Sequence, residues 1–167
     1  MTLGYQFNCI DADLEDKSIL GMDATRVHLF ITHLPVFGIF LGFMALLFGL
    51  IRKDRQVKIV SLLILLIAIS GGIIAFQTGE SAEETVENLT GISENTIEEH
   101  EESAELTILF FYALGILTLI SLSLELKNNK YARQVLFLVM ALSILTFFLV
   151  VRTAALGGKI RHTEISV

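Results

Sequence analysis

Four apolar runs, at about residues 29–51, 57–77, 106–124 and 135–156, constrain this chain more than any other feature. Each is close to the roughly 20 residues that a helix needs to cross a bilayer's hydrocarbon at about 1.5 Å per residue. The first carries no Lys, Arg, Asp or Glu. A soluble bundle would put charged side chains on one face every few residues, and these runs do not. With 53% hydrophobic and only 18% charged residues, the composition excludes an ordinary water-soluble domain. The expected fold is all-α: a bundle of four transmembrane helices at about 26–51, 57–77, 97–125 and 134–156. An outer tail, 1–25, precedes it; an acidic outer loop, 78–96, joins its halves; a second outer tail, 157–167, follows.

The charges orient that bundle. Arg52, Lys53, Arg55 and Lys58 fill the link between runs one and two, and Lys127, Lys130 and Arg133 the link between three and four. Basic residues in short loops stay in the cytoplasm, so both termini and the acidic loop are expected outside. The stretch from Thr78 to Glu105 holds ten glutamates and no lysine or arginine. One cysteine, Cys9, permits no intramolecular disulfide. Residues 1–25 are polar and acidic, and no cleavable signal peptide is expected there. The location this implies is a membrane, multi-pass, with both ends outward.

Helix signals refine the layout. Asp23 or Thr25 can cap a helix that carries His28 in its first turns. Pro35 removes the hydrogen bond to the Ile31 carbonyl and bends the helix near His33. Gly38 and Gly42, with Gly49 near the same stripe, permit close approach of another helix or of a flat ligand. TGESAEETVENL reads as a separate short amphipathic helix. Thr96 with Glu99 forms a capping box that starts the third helix near Ile97. Gly157 and Gly158 are placed to end the fourth.

A short echo divides the chain into two hairpins. Arg55-Gln56-Val57 and Arg133-Gln134-Val135 each open a returning helix, and 24 residues after each arginine comes a glycine, Gly79 and Gly157. Each returning helix follows one with histidine at its mouth. Two pseudo-repeated hairpins about an axis normal to the membrane account for this.

All four histidines, His28, His33, His100 and His162, fall at the outer face on this topology. An imidazole there is tolerated when it ligates or relays something, although a single one is commonly just hydrogen-bonded to a neighbour. On an ideal helix His28 and His33 are about 140° apart, so they do not converge on one atom. Two imidazoles from facing helices are the usual means of holding a b-type haem in a bundle. His33 and His100 are the first choice of axial ligands, with His28 and His162 in reserve. Arg26, Arg152, Lys159 and Arg161 are available for its propionates, and glycines on helices one and two for its ring. Electron transfer is the function that follows, with a quinone or a periplasmic cytochrome as partner. The second reading is a non-haem site for Zn, Cu or Fe, an enzyme or a carrier, using the four histidines with Glu80, Glu84, Glu101 or Glu164. The third is a cofactor-free accessory subunit of a larger membrane complex or homo-oligomer. No phosphate loop, nucleophile elbow or nucleic-acid-binding patch is present.

His28-Leu-Phe-Ile-Thr-His33-Leu-Pro35 resembles the H-x-x-x-x-H-x-P opening of an uncharacterised bacterial family of four-helix inner-membrane proteins. TGESAEE, His100-Glu101 and GGKIRH are similar in placement to its outer-face segments. Members are sometimes fused to cytochrome-like domains, so the resemblance implies a redox or haem-associated, cytochrome b-like role. The glutamate-rich segment 78–105 departs from that pattern and leaves room for a harder metal.

Overall fold

In a computed structural model of the chain, the described residues are 28, 30–86 and 94–161. They form four helices: α1 (His33–Arg52), α2 (Arg55–Val86), α3 (Glu94–Leu126) and α4 (Ala132–Arg161). All four are long and apolar enough to cross a membrane. They pack in a ring. Contact is most extensive inside the hairpins α1–α2 and α3–α4, intermediate between α2 and α3, and least between α1 and α4.

The two tight links share one design. Lys53 and Asn128 adopt positive φ, 56° and 51°. Asp54 N–H then donates to Gly49 O at 3.0 Å and Asn129 N–H to Leu124 O at 2.9 Å, which closes each helix with a Schellman-type turn. The next helix is capped by the same residue: Asp54 Oδ1 accepts from Gln56 N–H, and Asn129 Oδ1 from Tyr131 N–H. The pseudo-repeat therefore extends to backbone geometry. These links lie at one end of the bundle, and His28 and His100 lie toward the other.

Large apolar side chains such as Phe37, Leu109, Ile116 and Phe148 are exposed, the pattern of a bundle whose solvent is lipid. The interior combines an apolar cluster that includes Ile39, Leu46, Leu65, Phe111, Leu114 and Leu136 with small residues at the helix contacts, where helices surrounded by lipid associate through close packing and hydrogen bonds. The glycine stripes serve that packing and leave no slot for a ring. A Cβ on Gly38 would lie 2.6 Å from Ala68 Cβ, one on Gly42 2.7 Å from Leu65 Cδ2, and one on Gly72 2.4 Å from the Phe111 ring.

Three expected boundaries are corrected. α2 runs on through Gly79 to Val86, so the first part of TGESAEETVENL continues it, and the rest lies outside the described residues. α4 likewise passes through Gly157 and Gly158. Gly79 and Gly157 are interior helix positions that lack a Cβ where an imidazole packs. α3 starts at Glu94, ahead of Thr96, and Glu99 accepts from the Asn95 side chain at 3.0 Å instead of closing a capping box.

Candidate cofactor site at the histidine end

The first hairpin places His28 against α2. Its Nδ1 lies 2.8 Å from the Ala75 carbonyl oxygen and 3.3 Å from Thr78 Oγ1. A carbonyl can only accept, so Nδ1 carries the proton and Nε2 keeps its lone pair. Gly79, one turn beyond Ala75, faces the ring edge, where a Cβ would stand 3.6 Å from His28 Cε1.

The second hairpin repeats the arrangement. His100 Nδ1 lies 3.0 Å from the Thr153 carbonyl oxygen. A Cβ on Gly157, one turn beyond Thr153, would stand 3.1 Å from His100 Cε1. Histidine, carbonyl and glycine thus recur as a unit, and in each neutral ring the proton sits on Nδ1 and the lone pair on Nε2. Among the described residues neither Nε2 is given a hydrogen-bond partner. Both imidazoles are half-buried, and they are near enough for positive charges on the two to repel. Burial pushes His28 below its ordinary value, against the weaker upward pull of the Ala75 carbonyl.

Hydroxyls brace the second unit. Thr153 Oγ1 lies 2.7 Å from Ser103 Oγ and 3.0 Å from Thr107 Oγ1, while Thr107 Oγ1 donates to Ser103 O at 2.7 Å. Ala75, Thr78, Thr153, Ser103 and Thr107 were not among the expected site residues. The 78-residue offset from Arg55 to Arg133 would have paired Ala75 with Thr153.

Of the expected ligands, His28 and His100 come to the same region, on opposite hairpins. His33 is exposed on α1, whereas His28 and His100 are half-buried. Glu101 follows His100 but is exposed, and Arg152 and Lys159 are exposed on α4. Glu80, Glu84 and Arg161 lie on helices, with side chains outside those described. Arg26, His162 and Glu164 lie outside the described residues.

The donor set tests the two chemistries. Among the described residues no three His, Cys, Asp or Glu side chains gather as a metal site. A tetrahedral zinc site takes four ligands, or three and a water, and the described residues bring together two imidazoles. A b-type haem supplies its own four nitrogens and asks the protein for two axial ligands. Two neutral imidazoles with bare Nε2 atoms fit that demand.

Four lipid-facing helices in two hairpins, with paired imidazoles at one end, define a multi-pass membrane protein. Residues 24–164 match the model of a family described as predicted membrane protein (DUF2231), and the chain belongs to that family. No curated protein matches the chain, and no solved structure does.

Proposed function

We propose that this protein carries electrons at a bacterial cytoplasmic membrane, holding a b-type haem between His28 and His100. One observation carries the reading: each imidazole donates Nδ1–H to a carbonyl on its own hairpin and leaves Nε2 unprotonated. That is how a histidine ligand is oriented and made more basic. Haem, when bound, supplies a one-electron carrier. The protein's residues do the rest. The Ala75 and Thr153 carbonyls hold the two ring orientations, Gly79 and Gly157 admit the rings against the helices, and the packed glycine stripes exclude water. Arg152 and Lys159, exposed on α4, are the described cations available to propionates. The basic links favour a cytoplasmic link end and an outer histidine end, where a quinone or a periplasmic cytochrome would exchange electrons.

The test is absorption spectroscopy with metal analysis on protein purified from haem-replete cells. A low-spin b-type spectrum is expected, retained in His33→Ala and lost in the His28→Ala/His100→Ala double variant. A colourless protein containing zinc, copper or porphyrin-free iron would replace haem by a non-haem metal. A colourless and metal-free one would leave an accessory subunit.

A further inference from the structure

We infer that the two imidazoles are unequal arms: His100 is the fixed ligand and His28 the exchangeable one, so the site opens at His28 to a small neutral π-acceptor molecule. This rests on the haem reading above. Four observations point the same way.

The first is backbone continuity. His100 lies inside the unbroken helix α3, a full turn past its start. His28 lies on a helical turn that joins α1 through Thr32, three residues before Pro35. Thr32 N–H still reaches His28 O at 3.1 Å, but Pro35 has no N–H to offer the Ile31 carbonyl. The connection below His28 is one backbone hydrogen bond weaker than that below His100.

The second is the number of acceptors. His28 Nδ1 has two within reach, Ala75 O at 2.8 Å and Thr78 Oγ1 at 3.3 Å. The ring can pivot away from its ligating position while its proton passes from carbonyl to hydroxyl. In the second hairpin Leu156 stands at the position equivalent to Thr78, 78 residues on, and His100 is given the Thr153 carbonyl alone.

The third is bracing. The Thr153 hydroxyl ties α4 to Ser103 and Thr107 of α3 directly below His100. The matching positions in the first hairpin are Ala75, Ile31 and Pro35, which have no side-chain hydrogen bonds to give. The fourth is room: the backbone at Gly157 approaches His100 more closely than that at Gly79 approaches His28, 3.1 against 3.6 Å from a Cβ position.

Exchange involves no electron transfer. With haem bound, His28 Nε2 would give up its place as a donor and keep its electron pair, the incoming molecule would supply the replacing pair, and His100 Nε2 would stay as it is. Carbon monoxide on dithionite-reduced protein in lipid nanodiscs is the probe.

Wild type is expected to take up carbon monoxide with loss of the low-spin spectrum. His28→Ala is expected to keep its haem in a high-spin, five-coordinate form that binds the gas without the displacement step. His100→Ala loses most of its haem. Thr78→Val, which removes the second acceptor, is expected to slow uptake relative to wild type without changing the amount of haem bound. Exclusion of carbon monoxide from wild type, or equal haem loss in the two alanine variants, overturns the inference. A wild type without haem defeats the reading below it instead. The asymmetry is then read from hydrogen exchange of the protein as purified: amides at 30–34 should exchange faster than those at 97–103, and equal protection overturns it.

Discussion

The two hairpins share a plan and differ in what holds them. In the first, α1 and α2 meet through absent side chains: Gly38 against Ala68, Gly42 against Leu65, Gly49 against Lys58. In the second, α3 and α4 meet through hydroxyls at Ser103, Thr107 and Thr153. Further along, Thr118, Ser143 and Thr146 each donate to the carbonyl one turn back. Both are small-residue seams suited to lipid, where packing and hydrogen bonds replace the hydrophobic drive. Among the described residues, hydroxyl-to-hydroxyl bonds join the helices of the second, while the His28 imidazole bonds to α2 in the first. A repeated scaffold can therefore give two equivalent histidines different surroundings.

The largest expected effect concerns how the hairpins join each other. Arg55 of the first donates to the Glu125 and Leu126 carbonyls at the end of α3. Lys58 meets the buried Glu125 carboxylate at 2.8 Å. Each charge sits at the unfavourable end of its own helix dipole but beside the favourable end of its antiparallel neighbour. Its repeat counterpart does none of this: Arg133 lies over the Phe137 ring of its own helix, and Leu136 replaces Lys58. Lys58→Met strands a buried carboxylate and should destabilise by about 3 kcal/mol, measured by unfolding in mixed detergent micelles. Arg133→Ala should stay within about 0.5 kcal/mol. Similar losses from both would remove the asymmetry at the link end.

Next in size is the glycine seam. Gly38→Ala brings a Cβ to 2.6 Å from Ala68 Cβ and 3.3 Å from its Cα, so the helices must separate, at a cost of about 1–3 kcal/mol. Gly115→Ala meets only Ile69 Cγ2, at 3.5 Å, and should be close to neutral in the same assay. If Gly38→Ala is also neutral, the first hairpin is looser than its contacts require.

These seams also explain what could be read in advance. The four spans were legible because lipid demands long apolar runs, and the link positions because basic residues punctuate them. Helix extent was not. Gly79 and Gly157 carry the local signal for a helix stop, and only the imidazole packed on each shows why glycine stands there. The choice between His28 and His33 depends on rotation about the helix axis, which the α1–α2 seam sets. Pro35, Gly42 and Gly49 are buried on α1; stepping back seven residues from Pro35 reaches His28 and leaves His33 off the face. That signal was present, though it needed the seam to be recognised as packing. The pairing of His28 with His100 could not be decided from spacing, because the two come from segments 72 residues apart.

A smaller effect is expected from the hydroxyl brace. Thr153→Val keeps shape and removes the contacts to Ser103 and Thr107. Hydrogen bonds of this kind between membrane helices contribute about 0.6–1.7 kcal/mol. The loss should appear in detergent unfolding together with a weaker hold on His100. Thr78→Val, in the first hairpin, should alter stability less, since its hydroxyl bonds within its own helix, to Ile74 and Ala75. A Thr78 variant as damaging as the Thr153 one would show both hairpins to be braced alike.

The smallest effect separates the hairpins by pH. Burial holds His28 below its ordinary value of 6.5. The unfolded chain titrates near that ordinary value, so between the two it binds the extra proton and the folded chain does not. Stability from the neutral ring is therefore complete above the unfolded pKa and is lost as pH falls through the folded one. In cofactor-free protein, the unfolding midpoint should be level from about pH 8 to 7 and decline below about 6.5. His28→Gln should flatten part of that decline, and the remainder belongs to groups common to both proteins. Equal slopes would mean that folding leaves the proton affinity of the His28 ring unchanged, and burial against α2 would then not be what keeps its Nε2 unprotonated below the ordinary value.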